Sequence, residues 1–392
     1  MTKGARMEYL KSIYEEYRKA SKEEKGVRLR EFCIATGYNF TYASYLLNNY
    51  DPKYKSTKKI GRPKKYKNKE LNKPLQTIWL AAGQPCSKLL KSDIIIWLKH
   101  YENRYGKLTS EIREQMLKIS AATIDRILKP IRIKYTKKGL CTTKPGSMLR
   151  DMIPIKKCVW DETRPGFMEI DTVAHCANST EGEYVNTVDS IDLATYWSEQ
   201  RAVWGKGFYN TKEALKDIEE SLPFEQLGFD SDNGTEFLNH HLYRYYTDRK
   251  KPVQFTRSRA YKKNDNAHIE QKNWTTVRQW LGYDRFDKEA VVEALNDLYK
   301  NEWRLYHNFF KTTFKLKEKK RIASKTIKKY YEPKTPYQRV LESKYISAEI
   351  KEKLIAIYKT LDPFKLKEII EKKIRKVHYI NRKRPCNSII IN

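Results

Sequence analysis

Residues 229–237 read FDSDNGTEF, and this stretch decides how the middle of the chain folds. It ends a run, FEQLGFDSD (224–232), that reads as a short strand. Asn233-Gly234 then allows a sharp strand-to-helix turn, because glycine accepts backbone angles that other residues avoid. Glu236 stands near the start of a helix expected over about 236–249, where an acid suits the positive end of the helix dipole. Glu236 therefore reads as support for the helix. Asp232 remains at a strand end, in a chain whose formal net charge is +31. An acid at such a point in so basic a protein suggests a metal site facing a polyanion.

Working outward, FMEIDTVAHC (167–176) alternates around Asp171. EYVNTVDSID (183–192) and TYWSEQRAV (195–203) follow as two more alternating runs with a tight link at Leu193-Ala194, a hairpin signal. A helix fits 211–221, a strand VQFTRS fits 253–258 and a long helix fits about 266–281. Antiparallel strands first, then strands alternating with helices, point to a mixed α/β sheet. Asp171 lies mid-strand, where an unpaired charge is costly to bury. Glu270 lies on the long helix, just past a polar loop. Asp232 follows Asp171 by 61 residues and Glu270 follows Asp232 by 38. Two neighbouring strand ends and a helix can bring three such acids into one pocket, where hard oxygen ligands suit two Mg²⁺ ions. Asp265 is a rival third acid, but Asn264-Asp265-Asn266 reads better as the turn that starts the helix. Glu169 shares a strand face with Asp171 and reads as a structural partner, Asp189 fits the hairpin, and Asp192 serves its turn. Trp197, Trp204, Trp274, Trp280 and Trp303 read as core.

The flanks are helical and basic. Leu10, Ile13, Tyr14 and Tyr17 keep helical spacing. Residues 27–48 divide into a helix to about Ala35, a break at Thr36-Gly37-Tyr38 and a second helix from about Asn39, the outline of a helix-turn-helix. Tyr42, Ser44 and Tyr45 are then placed to meet DNA. Within the Lys-dense linker at 51–73, Gly61-Arg62-Pro63-Lys64-Lys65 resembles an AT-hook, whose Arg-Pro segment suits a narrow minor groove. Arg62 and Lys64 are its candidate contacts. A second helical region, 74–150, ends in another helix pair, with Thr109 or Ser110 capping its first helix and Ser120 its second. There Ile124, Ile127 and Leu128 face the core, while Thr123, Asp125 and Arg126 face out; Thr123 and Arg126 are the candidate DNA contacts. The catalytic region spans 160–310 and a basic segment 311–392. That segment opens as a linker or arm and ends in two helices over about 347–360 and 363–377, with Asp362 capping the second.

Hydrophobic residues make up 40% of the 392 and charged residues 32%, which supplies real cores for about two to four domains. The charge excess favours a polyanion, because Lys and Arg displace the counterions condensed on phosphates. No run is long and apolar enough to suggest a membrane span, and no signal-peptide core opens the chain. Six scattered cysteines without a C-x-x-C pair read as reduced thiols, so zinc is not expected. The expected location is the cytoplasm, in association with DNA.

EIDTV (169–173), FDSDNGTEF and NDNAHIEQKNWTTVR (264–278) together resemble the three acidic motifs of the DDE integrase and transposase superfamily. The resemblance implies an RNase H-like core between all-α helix-turn-helix units and a basic C-terminal segment. It makes Asp171, Asp232 and Glu270 both catalytic residues and ligands of two Mg²⁺ ions, with Mn²⁺ as a substitute. It implies a transposase that cuts element ends and transfers the 3′-hydroxyl to target double-stranded DNA, as a homo-oligomer on DNA. Asn266 and Asn273 share the helix face of Glu270 and are placed to touch the scissile end, while Lys263, Lys272 and Arg278 are placed to hold phosphates. Two other readings stand beside it: a catalytically inactive DNA-binding regulator, and a nuclease for RNA–DNA hybrids.

Overall fold

The structure, a computed structural model, describes residues 1–51, 66, 69–132, 163–231, 236–237, 239–257, 269, 272–322 and 325–383. Arg62, Lys64, Asp232, Lys263, Asp265, Asn266 and Glu270 therefore lie outside the described residues.

The chain forms two compact units, Met1–Lys67 and Asn68–Asn392. Among its described residues the first holds three helices, α1 (Lys3–Lys19), α2 (Lys22–Thr36) and α3 (Phe40–Asn49). Each start is capped by its own sequence. Thr2 accepts from Ala5 N, Ser21 and Glu24 form a reciprocal capping box, and Asn39 Oδ1 accepts from Tyr42 N at 2.7 Å. Gly37 ends α2 in the left-handed region, at φ 70°, so the helix, turn and helix fall where the sequence puts them. Leu10, Tyr17, Leu29, Phe32, Ala43 and Leu47 make the core, which leaves Tyr42 and Tyr45 exposed on α3.

The second unit is built on a five-stranded mixed sheet. Its strands are β1 (Phe167–Ala174), β2 (Val185–Asp192), β3 (Ser198–Trp204), β4 (Gly228–Ser231) and β5 (Gln254–Arg257), in spatial order β3-β2-β1-β4-β5. β1, β2 and β3 pair antiparallel, while β1, β4 and β5 pair parallel. Every residue of β2 is buried, as expected for a strand covered on both faces. Along β1 the alternation sorts the side chains. Met168 and Ile170 join Val188, Phe229 and Phe255 in an apolar core that α8 (Phe208–Ser221) and α9 (His240–Thr247) cover. Glu169 and Asp171 point to the opposite face.

The remaining elements close around this sheet. α4 (Asn72–Ala81), α5 (Ser87–Tyr105), α6 (Ser110–Lys118) and α7 (Ala121–Arg132) precede it. After β5, a π-helical stretch Asn273–Arg278 runs into the short α10 (Gln279–Leu281). Then come α11 (Ala290–Leu298), a second π-helical stretch Tyr299–Trp303 and α12 (Arg304–Phe310). An antiparallel ribbon, β6 (Leu316–Ile322) and β7 (Lys325–Tyr330), leads to α13 (Pro336–Glu342), α14 (Ala348–Thr360) and α15 (Pro363–Arg382).

The helices over 69–132 and the elements over 311–383 share one compact unit with the sheet. Trp97 Nε1 of α5 donates to the Phe310 carbonyl at 3.0 Å, Tyr306 hydroxyl to the Ala81 carbonyl at 2.6 Å, and Phe364 of α15 meets the Trp97 ring edge-on. The segment after residue 311, expected as a linker or arm, is in large part the β6–β7 ribbon, with Thr313 pairing with Lys334 at its foot. The helix expected from 236 starts at His240, because Asn239 Oδ1 accepts from Leu242 N and so marks the helix start. Glu236 lies ahead of it, with the Lys206 ammonium 3.6 Å away. Trp274, expected in the core, is 52% exposed, because Lys272, Thr276 and Val277 take the inward side of the π-helical turns. No helix among the described residues is long and apolar enough to cross a membrane.

Candidate active site

The acids of β1 are bound to the chain that surrounds Glu270. The Ile269 backbone N donates to Glu169 Oε2 at 3.1 Å, and Asn273 Nδ2 donates to Asp171 Oδ2 at 2.6 Å. Residues on either side of Glu270 are thus tied to successive outward-facing acids of one strand. Asp171 Oδ1 also accepts from the Thr172 backbone N at 2.7 Å, so both of its oxygens have a donor and the carboxylate is held in one orientation.

Asp189 stands directly across from Asp171 in the β1–β2 register, so the two share a sheet face. It is fully buried, and it accepts from Gln200 Nε2 at 2.8 Å and Thr276 Oγ1 at 3.1 Å. Lys272, expected at phosphates, is only 8% exposed and interacts electrostatically with Asp189. Burial pushes the Asp189 carboxyl up and the Lys272 ammonium down, and the charge of each resists the shift of the other. Arg278 donates to the Ala174 carbonyl at 2.6 Å and its guanidinium lies over the Tyr283 ring. Nearby, burial takes His175 down to about 3, with the Arg278 and His378 charges adding to it; its ring bonds Thr187 Oγ1 and stacks on Phe286. Asp192, read as a turn residue, does hold the turn: Gly166 N, Thr195 N and Thr195 Oγ1 all donate to it.

Sequence reading missed how Asp189 and Lys272 face each other. Its only available signal was the alternation on β2, which sets a face but not a register. It also placed Asn273 toward DNA, whereas its amide nitrogen is spent on Asp171.

The donor chemistry fits a hard cation. Asn273 Oδ1, on the amide that donates to Asp171, is a buried oxygen with no hydrogen-bond partner among the described residues. With the Asp171 carboxylate it gives oxygen donors only, the kind Mg²⁺ prefers. No group of three or more His, Cys, Asp and Glu gathers among the described residues.

On the second helical region, Thr109 and Ser120 cap α6 and α7 as expected. Arg126 is exposed and donates to Thr123 Oγ1, and Asp125 binds Ser87 and Arg132.

No protein-family model matches the chain. It is 34% identical over 339 residues to "Uncharacterized protein y4rM" of Sinorhizobium fredii (strain NBRC 101917 / NGR234), covering 86% of this chain and 95% of that protein. The chain belongs to the y4rM family, whose name carries no activity. Among solved structures it is similar to a chain of the simian T-cell lymphotropic virus intasome in complex with PP2A regulatory subunit B56 gamma. That alignment has 10% identity, 60% coverage of this chain, 72% of that one and a TM-score of 0.31. A second is the catalytic core domain of BIV integrase, with 13% identity, 46% and 96% coverage and a TM-score of 0.27. At scores this low, the fold reading rests on the strand order and register above.

Proposed function

We propose that this member of the y4rM family is a DDE-type polynucleotidyl transferase, a transposase or integrase that cuts element ends and joins the 3′-hydroxyl to target double-stranded DNA. The observation that carries the reading is the double tether of residues 269 and 273 to Glu169 and Asp171, on either side of Glu270. The register supports it. Ser231 is the parallel partner of Ile170, and Asp232 and Asp171 are the next residues in sequence. The mixed five-stranded sheet, in the order β3-β2-β1-β4-β5, supports the reading of an RNase H-like core.

In this reading Asp171, Asp232 and Glu270 hold two Mg²⁺ ions, for which Mn²⁺ can substitute. When bound, such a pair stabilises charge on the attacking and leaving oxygens of a phosphodiester. The chain's own residues prepare the site. Asn273 fixes the orientation of Asp171, Glu169 caps the backbone ahead of Glu270, and Lys272 with Asp189 holds the helical stretch against the sheet. Tyr42 and Tyr45, Arg62 and Lys64, and Thr123 and Arg126 contact DNA outside the site. Lys263, Asn266 and Arg278 hold the cleaved end, and the protein acts as a homo-oligomer on DNA.

The test is Mg²⁺-dependent nicking and strand transfer on a labelled duplex from the flanks of the gene, comparing wild type with Asp171→Asn. The expected outcome is cleavage by wild type and a loss of about 10³-fold or more in the variant, as for other groups that act as a catalytic unit. Duplex binding by both proteins with cleavage by neither overturns the reading, and leaves the inactive DNA-binding regulator.

A further inference from the structure

We infer that the β6–β7 ribbon is a duplex-DNA contact that enters a groove, an inference that rests on the reading of the chain as a DNA transferase. Between Leu316 and Tyr330 the sequence carries seven Lys and Arg and one acid, Glu318. The register sets Lys319 across from Lys328, and like charges directly opposed weaken a β pair. Glu318 holds Lys320 and Lys329, at 2.5 Å and 3.1 Å, on one face of the ribbon. The far strand is open to solvent: residues 327–330 are all exposed, with Ile327 at 46% and Tyr330, which meets the Phe314 ring, at 48%.

A two-stranded ribbon alone is marginal in water, and both edges of an uncovered one are free to pair with other chains. The protein nevertheless fastens this ribbon firmly at its foot. Thr313 N donates to the Lys334 carbonyl at 3.0 Å and Tyr331 N to the Lys315 carbonyl at 2.9 Å. The half-buried Arg339 grips Thr313 through its hydroxyl and carbonyl, at 2.7 Å and 2.6 Å, and Lys315 Nζ reaches the Ala194 carbonyl. Beside the foot lies a cleft of about 530 Å³ with Lys317, Lys334 and Tyr331 in its wall. A fixed base under a bare cationic blade suits a partner that supplies negative charge along two lines. The major groove of B-DNA admits a two-stranded ribbon between two phosphate backbones. Phosphates there would meet the exposed Lys317, Lys320, Lys328 and Lys329 and release counterions. The competing role for these lysines is to guard the edges against strand pairing, which lysine does on many exposed edges.

The experiment titrates the affinity of the full chain for a labelled duplex against salt. It compares wild type with a variant carrying Lys317→Gln, Lys320→Gln, Lys328→Gln and Lys329→Gln, and with the same four positions as Arg. Each phosphate contact contributes about 0.9 to the slope of log K against log salt. The expected result is a slope shallower by about 2–4 in the Gln variant and unchanged in the Arg variant. A Gln variant with wild-type affinity and slope, but a stronger tendency to aggregate, overturns the inference and leaves edge protection. Absence of duplex binding by wild type at any salt overturns the proposed function as well, so the two failures are distinguishable.

Discussion

In the central sheet four acids are buried. Glu169, Asp189, Asp192 and Glu199 are each fully enclosed, and each has its hydrogen-bond donors. On the β6–β7 ribbon of the same unit the charges are bases, and Lys317, Lys320, Lys328 and Lys329 are exposed. The contrast shows two ways of making a strand tolerate charge. An enclosed carboxylate must be met by fixed donors from neighbouring elements, so it ties the fold together. An exposed lysine is met by water, and even where it pairs with an acid, as Lys320 and Lys329 do with Glu318, it adds little to the fold and can be drawn to a ligand. On this view the acids position a site and the ribbon carries DNA affinity, and each half of the contrast can be broken separately.

The largest effect is expected from Glu199→Ala. Glu199 accepts from Trp197 Nε1 and, through both oxygens, from Arg304, and Arg201 lies 3.4 Å from it at 2% exposure. Removing the carboxylate leaves the enclosed guanidinium of Arg201 and the partly buried one of Arg304 short of an acceptor, which costs about 3–5 kcal/mol. Denaturant unfolding reads this as a lower midpoint with an unchanged slope. A loss below about 1 kcal/mol would place Glu199 with surface pairs and erase the contrast at this position.

Asp93 of α5 extends the buried half of the comparison beyond the sheet. Burial pushes its carboxyl from 3.8 up to about 7, against hydrogen bonds from the Thr312 hydroxyl and backbone N and the charge of Lys311. The folded state therefore keeps a proton that the unfolded chain gives up near pH 4. Stability falls as pH rises from about 4 to about 7 and levels off above, with a total loss of no more than about 4 kcal/mol. Asp93→Asn is expected to flatten that part of the Tm-against-pH curve and to be the more stable protein at pH 8. Parallel curves for the two proteins would show that Asp93 is charged in the fold.

How much of this was legible beforehand depends on which interaction fixed each feature. The Asn39 cap, the Gly37 stop and the Asp362 cap with Pro363 are local, so α2, α3 and α15 begin or end where the sequence says. Asp171 was legible because it sits mid-strand in an alternating run, where an unpaired charge is costly to bury. The pairing of Asp171 with Asp189 was not, since the β1–β2 register depends on the chain at 175–184, which has no turn signature that sets it. The inward turn of Lys272 and the outward turn of Trp274 follow from π-helical turns, which an ordinary helical period does not anticipate. The merging of 74–132 and 311–383 with the sheet came from contacts such as Trp97 with Phe310 and Asp93 with Thr312. Each spans more than two hundred residues of chain, at separations of 213 and 219. Lysine density made 311–336 look like a linker or arm and hid the pairing of its residues across a ribbon.

The smallest effect is the sharpest test of the exposed half. Lys328→Glu replaces one member of the like-charge cross-strand pair with an acid opposite Lys319. If the ribbon were selected for its own stability, Glu would be the better residue, worth about 0.2–1 kcal/mol for an opposite-charge pair. Hydrogen exchange of the β6–β7 amides is expected to show that gain as slower opening of the ribbon, with the sheet amides unchanged. Duplex affinity is expected to move the other way, because the variant exchanges a phosphate contact for a repulsion. A more stable ribbon that binds DNA less well would mean that its like charges are kept at the expense of local stability. Faster exchange in the variant would mean instead that Lys328 already serves the ribbon's own fold, and the contrast with the buried acids would narrow to a difference in exposure alone.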